Sequence, residues 1–368
     1  MQNNITIFGV GKLGLCFALN LEHVGYSVLG VDVHPAYVDS LNSKTLTSPE
    51  ESVEAMLKAS KNFTATTDVE EGLEYSDTLF VLVATPSLEN GKYDHSQIDR
   101  LADQLIERGR QESPKDLIIG CTTMPGYCDQ LQDKLAEYNY KVSYNPEFIA
   151  QGTIIRDQQY PDMVLIGSPD EKSAARLVKI YDDMTLNTPK MFTMSPLSAE
   201  ICKISLNCFI TTKIAFTNMI GDLATKVGAE PQRILNAIGA DTRVGAKCTM
   251  YGYGYGGPCF PRDNRALGIY AKEQDCSIHI SDATDKCNEE HLKFMIDSFA
   301  GDEITIESVT YKPQSVMIEE SQQLAYAVGL AKKGVKVTVL DKPEVIDQVK
   351  AIYGDLFTYA EDWYTLDV

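Results

Sequence analysis

The chain has 368 residues, more than one hydrophobic core usually serves, and its 44% hydrophobic and 23% charged content fits an ordinary globular protein of two or three domains. A net charge of -19 without a long Lys/Arg run excludes the basic footprint of nucleic-acid binding, but not an anionic small molecule held by local cations and backbone N–H groups. Short apolar runs exclude a membrane-spanning helix. Met1-Gln2-Asn3-Asn4 lacks the order of a signal peptide, and nine scattered Cys with five scattered His suggest reduced thiols in a cytoplasmic protein without a zinc site.

In chain order, residues 5–8 form an apolar strand that stops at glycines, 13–24 a helix, and 27–31 a strand ending at Asp32. Strand–helix–strand over this span predicts a right-handed parallel unit. Further buried strands are expected at 78–83, 117–120, 142–144 and 163–166, with helical stretches between them. Residues 1–197 therefore read as a Rossmann-type, doubly wound α/β domain. A long proline-free helical pattern, 198 to about 228, opens a central helical region, 198–298, broken by the glycine-rich stretch 251–257. A smaller C-terminal α/β domain, 299–368, repeats strand 304–309, helix 322–333 and strand 336–340. The final residues, with Trp363, carry no signal.

Gly9-Val10-Gly11-Lys12-Leu13-Gly14 follows a strand and opens a helix, and Asp32 ends the next strand. Gly9 permits the tight turn, Gly11 the approach of a pyrophosphate, and Gly14 close packing of helix on strand. The helix N-terminus offers free N–H groups to phosphate. Asp32 would accept hydrogen bonds from ribose hydroxyls and repel a 2′-phosphate, and no Arg or Lys lies between it and Lys44. The cofactor expected is NAD. Thr85-Pro86 and Cys121-Thr122-Thr123 follow predicted strands, where ligands bind in open α/β sheets, although both also suit ordinary turns.

Tyr251-Gly252-Tyr253-Gly254-Tyr255-Gly256-Gly257-Pro258-Cys259-Phe260-Pro261-Arg262-Asp263 is the most unusual stretch. Its glycines let backbone pack against a ligand or bend sharply. Cys259, between prolines and near charges, reads as a nucleophile rather than a small buried hydrophobe. Glu200, Lys203 and Asn207 share one face of the long helix, either paired inside or turned to solvent. Glu147, in Asn145-Pro146-Glu147-Phe148, sits where a catalytic carboxylate or a helix-start carboxylate would sit.

These pieces, in this order from residue 5 to about 341, resemble the UDP-glucose/GDP-mannose dehydrogenase family of nucleotide-sugar dehydrogenases. The resemblance implies an NAD domain, a central helix forming a homodimer, and a C-terminal domain for the substrate nucleotide. It implies four-electron oxidation of a sugar C6 alcohol to the acid, with two NAD reduced and UDP-glucose as the favoured substrate. By the same resemblance Cys259 is the nucleophile, Lys203 and Asn207 stabilise the oxyanion, Asp263 moves a proton, and Thr122 and Glu147 position water or act as acid and base. Thr85, Pro86 and Thr122 join the glycine turn at the cofactor. Glu147, Phe148, Lys203, Asn207, Tyr251, Tyr255, Gly256 and Lys312 face the substrate, and Arg243 reaches a neighbouring subunit's substrate. A thiol is needed because an aldehyde must become tetrahedral before a second hydride can leave.

The chain departs from the family pattern at Gln151, where a carboxylate is usual, at Arg262, where lysine is usual, and at Glu319, where an arginine normally faces the substrate. Its C-terminal domain is also short. Two other readings follow from these features. One is a two-electron β-hydroxyacid dehydrogenase, which needs no loop cysteine. The other is a non-catalytic relative that binds NAD.

Overall fold

A computed structural model describes residues 3–149, 152–312 and 315–361; Gln151, Pro313 and Trp363 fall outside the described residues. The chain forms two compact units, Met1–Lys203 and Ile204–Val368.

The first unit contains β1 (Asn4–Phe8), β2 (Ser27–Val31), β3 (Phe63–Thr66), β4 (Thr78–Val81), β5 (Lys115–Ile119), β6 (Tyr140–Tyr144), β7 (Met163–Gly167) and β8 (Lys190–Met194). Among the described residues they form one sheet in the order β3-β2-β1-β4-β5-β6-β7-β8. Neighbours are parallel except β6 and β7, which meet antiparallel at Tyr144 and Gly167. Alternating side chains enter two cores. Ile5, Ile7, Phe80 and Ile118 enter one, while Phe8, Leu79, Val81, Leu117 and Ile119 enter the other. A strand buried on both faces needs an unbroken apolar run, which explains why the central strands stand out in the sequence. The edge strands β3 and β8 escape that reading, because β3 alternates with exposed positions and β8 is mostly exposed. The strand order reverses between β1 and β4, opening a crevice beyond their carboxyl ends.

The helix Pro196–Val227 starts on a proline, whose fixed φ suits a first helical turn, and stops before Gly228 at φ 77°. Its 32 residues span about 48 Å. The second unit continues with helices Pro231–Ala240, Phe260–Glu273 and His279–Ser298. A parallel sheet follows, ordered β11-β10-β9, from β9 (Glu303–Glu307), β10 (Lys336–Asp341) and β11 (Thr358–Glu361). Helices Gln322–Lys332 and Pro343–Tyr353 cover it through Leu330, Val345 and Val349 against Val337 and Val339. Ser321 caps the first of these by accepting from Leu324 N at 3.2 Å. The terminal strand β11 has no counterpart in the sequence reading.

Candidate active site

The turn after β1 is built by close contacts. Gly9 has φ 87°, and a Cβ there would meet the Leu82 carbonyl oxygen at 2.7 Å. A Cβ on Gly14 would lie 2.0 Å from the Gly9 oxygen, whereas one on Gly11 would meet nothing within 4 Å. Gly9 and Gly14 are thus demanded by the protein itself, while Gly11 borders open space. The helix Lys12–His23 begins here with no side-chain cap and no acidic residue in its first turn, so its N–H groups remain available to an anion. Val10 is buried and its carbonyl accepts from Tyr37 Oη at 2.8 Å; Lys12 is exposed and Leu13 half-buried. Half-buried Asp32 sits at the end of β2 and accepts from His34 N at 3.2 Å.

Beyond β4 and β5, buried Thr85 donates to the Thr122 carbonyl at 2.8 Å, which ties the two loops together. Pro86 begins a small ribbon closed by Asp94 N at 2.8 Å. Glu200, fully buried, accepts from Thr123 Oγ1, Gly126 N and Cys128 N at 2.8, 2.6 and 2.9 Å and so fixes the turn that follows Thr122. Burial raises its carboxyl above the ordinary range against those hydrogen bonds. The helix stripe bearing Glu200 and Lys203 therefore faces inward.

Lys203 Nζ donates to the Glu147 carbonyl at 2.6 Å and lies 4.3 Å from the centre of the Phe148 ring. The Glu147 carboxylate accepts from Tyr181 Oη at 3.2 Å, and that hydroxyl also contacts Asn145 at 2.8 Å. The residue is half-buried, but its carboxyl is enclosed, and this burial pushes it up to about 7 against opposing pulls from Tyr181 and the Lys203 charge. Glu50, which carries no motif in the sequence, accepts from Gly152 N at 2.8 and 2.9 Å and Ile154 N at 3.3 Å. It anchors the chain just past Phe148.

In the second unit, Cys259 is exposed at the N-cap of the helix Phe260–Glu273, whose positive dipole end favours an anion. One turn on, buried Asp263 donates its N–H to the Cys259 carbonyl at 2.8 Å and accepts from Asn207 Nδ2 at 2.6 Å. Arg262 lies 3.6 Å from the same carboxylate. Cys208, by contrast, is buried and its thiol is pushed up to about 12.

The loop glycines mostly meet protein. A Cβ on Gly254 would strike Asn288 at 2.2 Å, one on Gly256 the Glu320 carbonyl at 2.2 Å, and one on Gly257, at φ 81°, the Tyr311 ring at 2.4 Å. Half-buried Lys312 follows Tyr311. The Tyr251 hydroxyl donates to Asp222 at 2.8 Å, and the Tyr255 hydroxyl to Asp285. Arg243 is exposed and grips Asp241, two residues away, at 2.7 and 3.0 Å. Glu319 is exposed, while Glu320 pairs with Arg265.

The NAD-binding domain of the UDP-glucose/GDP-mannose dehydrogenase family matches residues 3–185, and that family's central domain matches residues 197–290. The chain belongs to the UDP-glucose/GDP-mannose dehydrogenase family. Among its relatives, a UDP-glucose 6-dehydrogenase of Rickettsia bellii is 28% identical over 97% of this chain and 85% of its own. The UDP-glucose 6-dehydrogenase YwqF of Bacillus subtilis is 26% identical over 97% of this chain and 83% of its own. The structure of a UDP-glucose dehydrogenase from Pyrobaculum islandicum superposes with a TM-score of 0.87 at 27% identity, covering 98% of this chain and 86% of that one.

Like its family, the chain is an NAD-dependent nucleotide-sugar dehydrogenase. The glycine turn fits that cofactor, since the open space over Gly11 lies at an uncapped helix N-terminus, with the Asp32 carboxylate ending the neighbouring strand. Gly9, Gly11 and Asp32 would hold the dinucleotide. Three residues that matter to this family member's geometry lacked a sequence signal. Glu50 lies in a plain Ser-Pro-Glu turn, Tyr181 reads as ordinary helix core, and Asp222 reads as a surface charge.

Proposed function

We propose that this enzyme oxidises UDP-glucose to UDP-glucuronate in two two-electron steps, with Cys259 as nucleophile. The observation that carries the reading is the exposed Cys259 at a helix N-terminus, one turn from the Asn207–Asp263 pair. Bound NAD supplies the hydride acceptor at each oxidation. The chain's own residues do the rest. After the alcohol has become an aldehyde, the Cys259 sulfur adds to its carbon, and the carbonyl oxygen takes the negative charge. Lys203 and Asn207 stabilise that oxyanion, and removing one such donor costs roughly 10²–10³ in rate. Oxidation of the adduct leaves a thioester on Cys259. Water then adds and the thiol leaves, giving the acid and the restored cysteine. Asp263 handles the proton at the sugar oxygen. Glu147, with its carboxyl near 7, exchanges protons with the attacking water, which Thr122 helps to orient.

Val10, Lys12, Leu13, Gly14, Thr85 and Pro86 complete the cofactor wall. Phe148, Tyr251, Tyr255, Gly256 and Lys312 line the substrate side, Tyr251, Tyr255 and Gly256 through a loop packed on the protein. Residues 1–197, 198–298 and 299–368 serve as cofactor, dimerisation and substrate-nucleotide regions. The dimer forms through the long helix, whose Phe209, Phe216, Met219, Leu223 and Val227 are exposed, and it carries Arg243 toward the neighbouring subunit's substrate. A cytoplasmic location agrees with nine cysteines that form no disulfide, and no described helix is long and apolar enough to cross a membrane.

Counting NADH per substrate across a panel of sugar nucleotides tests the reading. Two NADH from UDP-glucose are expected, with Cys259→Ser stopping short of the acid. One NADH per substrate indicates a two-electron dehydrogenase. NAD binding without turnover indicates a non-catalytic relative, and undiminished acid from Cys259→Ser removes that residue from the chemistry.

A further inference from the structure

We propose that His291 is a positioning residue that holds the loop leading to Cys259, an inference that rests on the reading of Cys259 as nucleophile. A segment with glycines at 252, 254, 256 and 257 has many accessible conformations, so a cysteine at its end keeps a fixed place only if the backbone is held from outside. Polar side chains do this. Gln232 Oε1 accepts from Tyr251 N at 3.0 Å. Asn218 accepts from Gly252 N at 3.2 Å and donates to the Tyr253 carbonyl at 3.3 Å. Asn288 accepts from Tyr255 N and donates to the Tyr255 carbonyl, both at 3.0 Å. His291 Nε2 takes the remaining end of Gly252, 2.6 Å from its carbonyl oxygen.

His291 differs from the three amides in what stands behind it. Its Nδ1 lies 2.9 Å from each oxygen of Asp222, and the ring is 2% exposed. The two ring nitrogens thus bridge the Asp222 carboxylate and the Gly252 carbonyl, one at each end of a rigid ring, which no aromatic hydrocarbon of this shape does. Asp222 also accepts from Tyr251 Oη at 2.8 Å, and the Tyr251 ring presses on the long helix so closely that a Cβ on Gly221 would meet it at 2.0 Å. Tyr251 and His291 rings meet edge-on with centroids 5.8 Å apart. Asp222, His291 and Tyr251 thus clamp the entry of the loop, while Tyr311 and the Glu320 carbonyl fix its exit at Gly257 and Gly256. Pro258 and Cys259 follow directly.

The test uses full-length enzyme with UDP-glucose and NAD. His291→Phe is expected to lower kcat tenfold or more, to leave the KM for NAD within twofold, and to speed amide exchange across 251–257. His291→Gln, which keeps a donor to Gly252, is expected to recover part of kcat. Asp222→Asn, nearly the same shape, gives an intermediate loss and takes the place of His291→Phe if that variant does not fold. A kcat within twofold of the parent, unchanged exchange across the loop, or no recovery in His291→Gln overturns the proposal. Cys259→Ser is run alongside: if it still makes the acid, the nucleophile reading fails, while loop exchange still reports on His291 by itself.

Discussion

At the scale of single residues, environment separates chemically identical side chains. Cys208 and Cys259 differ in that one is enclosed beside Asp263 and the other opens a helix to solvent. Glu147 shows the same effect on a carboxyl. Its value is raised, so folding favours the neutral form. The stability this supplies is present below the ordinary carboxylate range and is lost as pH rises through about 7. Glu147→Gln should therefore gain melting temperature on the parent as pH goes from 5 to 8, and should lose the limb of kcat/KM near 7. A parallel pair of melting curves, or an unchanged limb, excludes the assignment. The Asn-Pro-Glu-Phe motif was legible in the sequence, but the shift was not. It comes from enclosure that no local pattern encodes, against the opposing pull of the Tyr181 hydroxyl, 34 residues later.

Among the elements, the glycine turn separates two demands that a fingerprint merges. Gly14 is needed because helix and strand backbones touch there, and Gly11 because the space above it is kept open. Gly14→Ala should cost about 1–3 kcal/mol of stability, as overpacking does. Gly11→Ala should leave stability within about 0.5 kcal/mol and weaken NAD at least tenfold, read by calorimetry. Equal stability losses in the two would show that Gly11, too, serves only the fold. The cysteine loop shows the opposite case. Its glycines suggested room for a ligand, yet three of them receive Asn288, Glu320 and Tyr311 of the same unit. Sequence spacing correctly grouped Glu200 with Lys203 on one helix face. It left the direction of that face open, because periodicity fixes which residues share a side and says nothing about what covers it. The cover is the turn from Thr123 to Cys128, whose N–H and hydroxyl groups need the Glu200 carboxylate.

For the whole molecule, the long helix leaves Phe209, Phe216 and Leu223 exposed at seven-residue spacing, an apolar stripe suited to a copy of itself. Phe216→Glu with Leu223→Glu should convert a dimer into a monomer in sedimentation experiments, and a variant that still sediments as a dimer rules this face out. The amino-acid sequence by itself determined the α/β class, the central strands, the dinucleotide turn and the order of the family's motifs. Each of these depends on residues close together in the chain, where steric and periodic rules act directly. Only the tertiary structure decided the edge strands, the enclosure of Glu147, the contacts of Glu50 and His291, and what the loop glycines touch. Those depend on burial and on hydrogen-bond partners brought in from 34 to 102 residues away, and the free energy of such a contact is set by its surroundings rather than by its neighbours in sequence.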